Sequence, residues 1–370
     1  MMNPAVANGP PQAPPQVPVC LQMNNPMLSI IVTSHRRREY VRAAVESALT
    51  QQAPPGNFEV ILTTAGPVPE TESWRAAGRL QIVDIDSDLY GAELAAGVRA
   101  SQGEVLCLLD DDDVFEPNKV SVVSELFRAD PTLGFYSNDF RVMNGTGVLL
   151  PDHPLRRRTH LARGRVGMVG VQGPDALGQL ARFPPLGPDF NHSSISVRRS
   201  IVEPVLSFLE RVRLSADSFL FFAALRAGSG IRIDANPLTR YRLHGQNVSN
   251  PQTSDLAALR QKLYRHAQDV LASYEVIREM VAGGPPEVVQ GIDEAIRFQE
   301  VYSLLRSSSA GRRAMWRALS ALFGGRDRYI WKAERAIVPL GLLFEFSPTV
   351  ARRTYLRTKI RELAWGSKPT

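Results

Sequence analysis

Two cysteines in 370 residues, Cys20 and Cys107, leave no material for a disulfide framework or a cysteine-ligated metal knuckle. A reducing compartment, the cytoplasm, is therefore the expected setting. Lysine and arginine are missing ahead of Arg36, and no apolar core segment stands there, which argues against a secretory leader. Nor does any stretch reach the roughly 18 apolar residues of a membrane-spanning helix. The longest candidate, 336–346, is too short and contains Pro339. What is present is ordinary for a globular protein: 44% hydrophobic and 22% charged residues, enough for a sizeable core. The length suits one large domain, or one with a smaller appendage.

The net charge of +6 is unevenly placed. From Val301 to Thr370 there are 14 Lys and Arg against 4 Asp and Glu, a surplus of ten, so the first 300 residues carry −4. That asymmetry describes a core unit followed by a basic region.

Residues 1–27, with NPAVANGPPQAPPQVP, are rich in Pro, Asn, Gln and Ala and lack periodicity, and are read as a disordered tail. Order is expected from LSIIVTS (28–34), a run suited to a buried parallel strand. EYVRAAVESALTQQ follows with helical spacing, then strands FEVILTT and LQIVDID, the helix YGAELAAGVRAS and the strand GEVLCLLD. Strands alternating with helices predict an α/β domain with a mostly parallel sheet flanked by helices. Next come a helix in PNKVSVVSELFRAD, a strand in LGFYSND, a Gly-, Pro- and Arg-rich stretch over 144–190 read as a long loop, a strand in HSSISVRRS, an apolar helix in DSFLFFAALRAG and extended chain in IRIDANPLTRYRLH. From about Ser254 the pattern is helical. Three regions result: the tail 1–27, a catalytic-type domain 28–250 and a basic helical region 251–370.

CLLDDDDVFEP runs from apolar positions into four consecutive aspartates, Asp110 to Asp113. In open parallel sheets ligands bind beyond the carboxyl ends of the strands, where this run and Thr33, Ser34 and His35 both fall. Alternation in extended chain points Asp110 and Asp112 one way, Asp111 and Asp113 the other. One such pair suits a hard divalent cation, Mg2+ or Mn2+, whose charge would relieve the repulsion. A solvated acidic turn accounts for these residues equally well.

Four stretches, in this order, resemble a family 2 glycosyltransferase with a GT-A fold, a nucleotide-diphospho-sugar transferase, over roughly 28–250. They are LSIIVTSHRRREYVRAAVESALTQQ, GAELAAGVRASQGEVLCLLDDDDVFEPNKV, LSADSFLFFAALRAG and YRLHGQNVS. By that resemblance Asp110 faces the ribose and base, Asp111 stands beside it on the nucleotide side, and Asp112 with Asp113 holds the metal. Asp217 falls where the family keeps its general base; its alternative is a helix cap. His244 resembles a histidine near the diphosphate, and Thr33, His35 and Arg36 resemble nucleotide contacts after the first strand. A structural histidine and a solvated loop are the respective alternatives. The chain departs from the family after the second strand, where VILTTAGPVPE lacks the usual base-binding aspartate, and at Ala92-Glu93-Leu94, which replaces Ala-Arg-Asn.

The resemblance implies a metal-dependent, inverting transferase moving a sugar from a nucleoside-diphosphate sugar, a UDP-sugar by expectation, to a glycan or lipid-linked acceptor in surface polysaccharide assembly. Rival readings are a catalytically silent scaffold at the membrane and a sugar-nucleotide pyrophosphorylase. The latter would want a glycine-rich loop, which TSHRRR is not. The basic loop LRRRTHLARGR (155–165) would fold over donor phosphates or stay solvated. The C-terminal helices, mixing Trp, Leu and Phe with Arg, suit either the anionic inner face of the cytoplasmic membrane or packing on the domain or on a second copy. No nucleic-acid motif is present, and no nucleic-acid partner is expected.

Overall fold

LSIIVTS forms β1 (Leu28–Ser34), buried at all seven positions, as a central parallel strand covered on both faces must be. The computed structural model describes residues 27–35, 37–53, 56–151, 153, 168–173, 175–180, 190–247, 256–324 and 338–364. After β1 come α1 (Val41–Leu49), β2 (Phe58–Thr64), the short α2 (Glu72–Ala76), β3 (Gln81–Asp84), α3 (Tyr90–Ala100) and β4 (Val105–Asp110). These strands line up β3-β2-β1-β4, every pair parallel. Gly91 allows α3 its place, because a Cβ there would lie 1.9 Å from the Leu209 carbonyl oxygen.

Beyond β4 the sheet turns mixed. The chain continues through β5 (Val114–Phe115), α4 (Lys119–Ala129), β6 (Leu133–Asn144), β7 (Met168–Val171), α5 (Ala176–Leu180), a 3-10 turn at His192–Ser194 and β8 (Ile195–Arg198). Then follow α6 (Arg199–Val202), α7 (Leu206–Leu209), α8 (Ala216–Arg226) and β9 (Gly230–Leu243). β8 lies antiparallel between β4 and β6, while β9 runs parallel to β6 with three register shifts and takes β5 and β7 antiparallel beside it. The expected α/β architecture holds, and the parallel pairing holds in its first half. The segment read as one long loop contains β7 and α5, since β7 finds a partner in β9. The basic stretch 155–165, Cys20 and Arg36 lie outside the described residues.

Side-chain alternation along β4 divides two cores. Leu106 and Leu108 join α3, α8 and neighbouring helices on one face; Val105, Cys107 and Leu109 join α1 and α4 on the other. Among the described residues five helices follow: α9 (Leu256–Val281), α10 (Pro286–Arg306), α11 (Arg312–Gly324), α12 (Val338–Phe346) and α13 (Pro348–Ala364). Val270, Tyr274 and Ile277 of α9 and Ile292 and Ile296 of α10 enter the first core. At the other ends of the same two helices, Leu259 and Leu263 early in α9 and Phe298 and Val301 late in α10 build a third cluster with Met315, Phe344 and Tyr355. Among the described residues no helix is long and apolar enough to cross a membrane.

Candidate active site

β1 and β4 are parallel neighbours in a register that sets Thr33 opposite Asp110, so both strands deliver their last residues to one edge. Asp110 ends β4, and its position is fixed from three sides. The Tyr90 hydroxyl, at the start of α3, donates to Asp110 Oδ1 at 2.5 Å, and His192 Nδ1 lies 3.1 Å from the same oxygen. Thr33 Oγ1 is 2.8 Å from the Tyr90 hydroxyl, and the Ser193 hydroxyl lies 3.0 Å from the Asp110 backbone nitrogen, which donates to it.

The expected alternation of the four aspartates does not occur. Extended structure stops at Asp110 and the chain turns over the next two residues, so side chains no longer point up and down by turns. Asp110, Asp112 and Asp113 instead converge, each offering a carboxylate oxygen within 4.8 Å of the others. Asp111 turns back towards β1, accepting from the Ser34 hydroxyl at 3.1 Å. Asp113 is anchored by the Arg242 backbone N–H at 2.9 Å.

One cation of the protein itself holds this run together. Arg37 spans two aspartates, Nη2 to Asp111 Oδ1 and Nη1 to Asp112 Oδ2, both at 2.6 Å. His244 reaches the same Asp112 oxygen through Nε2 at 2.9 Å. Its other nitrogen accepts from the Gln246 backbone N–H at 3.2 Å, so the proton belongs on Nε2 and is donated to Asp112. Arg242 donates through Nε to the Asp112 carbonyl at 2.7 Å, and its guanidinium lies 4.6 Å from the centre of the Tyr40 ring.

One guanidinium faces three carboxylates, and the titration behaviour follows. Burial works against the Arg37 charge, but Asp111, Asp112 and Asp110 together raise its pKa. Burial pushes Asp111 up to about 8, against the pull of Arg37 and with the help of Asp112 and Asp110. Burial, then the charges of Asp112 and Asp110, hold Asp113 well above the usual carboxylate range. Asp110 goes the other way. Burial opposes its ionisation, but His192, Tyr90 and Arg37 keep it below the ordinary value. Arg37 thus stays charged while the surplus acid holds protons. A hard, doubly charged cation fits such a site: all three converging donors are carboxylate oxygens, and a cation displacing those protons would supply the positive charge that one guanidinium does not.

The remaining sequence candidates lie around this centre or apart from it. His35 is half exposed and its Nδ1 pairs at 2.6 Å with Glu93, the residue standing where the resemblance expects an arginine. Asp217 sits in the first turn of α8, partly buried, its Oδ1 accepting the Ser218 backbone N–H at 2.8 Å. No side-chain cap bond forms at Ser215. Sequence reasoning missed Arg37, Tyr90, His192 and Arg242. Arg242 had a signal, since it lies inside the quoted YRLHGQNVS.

Residues 29–169 match the sequence profile described as Glycosyl transferase family 2. That match covers less than half of the chain and is a similarity to the family. An uncharacterized glycosyltransferase of Nostoc sp. is 23% identical over 237 residues, covering 60% of this chain and 66% of its own length. One from Haemophilus influenzae is 36% identical over 113 residues, covering 30% of this chain and 37% of its own. The chain thus spans at most about two-thirds of these curated relatives. A mannosyltransferase from Pyrobaculum calidifontis, solved in complex with GDP-Man and Mn2+, superposes with a TM-score of 0.51 at 17% identity, over 93% of this chain and 87% of that one. The chain therefore has the GT-A fold, and its aspartate run lies inside the segment that matches the profile.

Proposed function

We propose that this chain is a family 2 glycosyltransferase, metal-dependent and inverting, that uses a nucleoside-diphosphate sugar. The observation that carries the reading is the convergence of Asp110, Asp112 and Asp113 within 4.8 Å at the carboxyl end of β4, inside the family segment. Asp112 and Asp113 would hold Mn2+ or Mg2+, with Asp110 beside them; the cation would supply positive charge to the departing diphosphate. Asp110, braced by Tyr90 and His192, meets the ribose and base together with Thr33, Asp111 and His35. Arg37 and His244 fix the Asp112 carboxylate in the orientation this binding needs.

Asp217 is the base. The acceptor O–H proton passes to its carboxylate as the acceptor oxygen bonds to C1 from the opposite face. In the same step the C1–O bond to the diphosphate breaks, its electron pair leaving on the nucleoside diphosphate. The acceptor is a glycan or lipid-linked hydroxyl of surface polysaccharide assembly, reached from the cytoplasmic side. This part of the reading rests on analogy with the family's usual work.

The test is a panel of UDP- and GDP-sugars, with GDP-mannose included because a protein of the same fold was solved with it. Donor hydrolysis and transfer are scored with and without Mn2+, for the wild type, Asp112→Asn and Asp217→Asn. Turnover that needs the metal and falls in both variants is expected. Metal-independent turnover, or wild-type rates in both variants, overturns the mechanism.

A further inference from the structure

α11 has two faces with different chemistry. Met315, Ala318, Leu319 and Leu322, spaced i, i+3, i+4, i+7, are buried in the third cluster. Away from it, Arg312, Arg313, Trp316 and Arg317 line a shallow concavity of about 330 Å³. Trp316 is 60% exposed, and Phe346, at the end of α12, is 82% exposed. They belong to one surface, because Arg312 Nη2 donates to the Phe346 carbonyl at 3.0 Å. Leu342, one turn before Phe346, and Val350 of α13 add further exposed apolar area. α11 carries three arginines and no acid, within a region whose cationic surplus is ten.

We propose that this surface, Arg312, Arg313, Trp316 and Arg317 of α11 with Leu342 and Phe346 of α12, docks onto an anionic lipid bilayer. The chemistry on each part of the face suits one layer of a membrane interface. Cations near an anionic leaflet gain from its negative surface potential. An indole settles at headgroup level, with its ring apolar and its N–H wet. Phenylalanine and leucine gain only when they leave water, which acyl chains permit and a sugar-phosphate backbone does not. A second copy of the chain is a poor occupant, since a two-fold contact would set three arginines against three arginines. The surface is built by helices that share a cluster with α9 and α10, so docking would hold the whole catalytic unit at the bilayer. The proposal does not depend on the donor chemistry.

The experiment is vesicle flotation of the full chain with phosphatidylcholine vesicles and with vesicles containing 30% phosphatidylglycerol by design. Wild type should float with the anionic vesicles, at least tenfold more than with the neutral ones, and less as salt rises from about 0.1 M to 1 M. The triple variant Arg312→Gln, Arg313→Gln, Arg317→Gln should lose affinity by on the order of a hundredfold. The matching triple Lys variant should retain binding, because a leaflet reads charge and not fork geometry. Trp316→Ala with Phe346→Ala should lose about tenfold or more even at low salt. All these side chains are exposed, and unchanged thermal midpoints check that each variant folds. Equal flotation with neutral vesicles, or wild-type flotation of the Gln and Ala variants, overturns the proposal. So does an RNA or DNA oligonucleotide that outcompetes the anionic vesicles, or a dimer in sedimentation that the Trp316 and Phe346 changes dissolve. Donor hydrolysis in solution is read in parallel: its survival in variants that no longer float separates failure of docking from failure of the catalytic reading.

Discussion

Arg37 holds two neighbouring carboxylates with separate nitrogens, Asp111 on one and Asp112 on the other, a grip a lysine ammonium has no planar fork to make. Arg37→Gln leaves several buried acids with less positive charge. It should cost about 2–4 kcal/mol in urea unfolding without metal. Mn2+ should restore part of that loss, because a divalent ion supplies the missing charge; an Arg37→Gln protein as stable as wild type without metal would remove this role. Nothing in the sequence singled out Arg37. RRR at 36–38 offers three equal cations, and only the path of the loop after β1 turns the middle one towards the acids. The aspartates were legible as a cluster that could hold a cation; their orientation was not, because alternation applies only while the chain stays extended. Lys119 was invisible for another reason: it begins a helix, where lysine reads as solvated. It is instead fully buried, donating to the Ser193 carbonyl at 2.6 Å, with Nζ 4.0 Å from the centre of the Phe115 ring. Burial brings its pKa down to about 7, against the pull of Cys107 and Asp113. Between about 7 and the unfolded value near 10.5 the unfolded chain binds the extra proton, so this group adds stability as pH rises, by at most about 1.4 kcal/mol per unit. The stability difference between wild type and Lys119→Met should therefore shift in favour of the wild type from pH 6 to pH 9, as read from urea melts.

α3 and α8 show how elements aim the site. Tyr90 opens α3, and its hydroxyl meets Asp110 only because Gly91 lets the helix touch the loop after α7. Gly91→Ala drives a methyl into the Leu209 carbonyl and the Val212 side chain. It should cost about 2–3 kcal/mol, or displace α3, with a lower urea midpoint and weaker donor binding together. α8 is entered through Ser215, whose φ of 61° is the one positive value among described non-glycine residues. Left-handed backbone with a side chain is strained. Ser215→Gly should raise the thermal midpoint, by about 0.5–1 kcal/mol of added stability; an unchanged or lower midpoint would show that the strain is not there to relieve. Apolar runs of strand or helix length between turn residues were enough to read α3, α8 and the parallel strands. β9 was read correctly as extended chain, but its register shifts against β6 were beyond a one-dimensional pattern, as was the insertion of β8 between β4 and β6. Partner choice between distant strands is decided by three-dimensional packing.

On the scale of the molecule, α9 and α10 are the beams that join two cores. Each contributes side chains to the cluster under the sheet and to the cluster of the C-terminal helices. Such sharing predicts cooperative loss: near-ultraviolet and far-ultraviolet circular dichroism should follow one coincident thermal transition. Two separated transitions would mean that the C-terminal cluster melts alone. The basic, helical character of this region was legible from charge and period, whereas its continuity with the sheet core was not, because no local pattern tells which turn of a helix meets which neighbour. The strand order has a consequence in time as well. β6 leaves the ribosome some fifty residues before β8, yet β8 is the strand that must lie between β6 and β4. The nascent chain therefore holds its first four strands ready while a gap waits at their edge, a non-local closure of the kind that slows folding. His192, Arg242 and His244 arrive only as that gap fills, so the aspartate run stays without these partners until the sheet is whole. Birth order thus makes the fully braced aspartate run one of the last features this domain acquires.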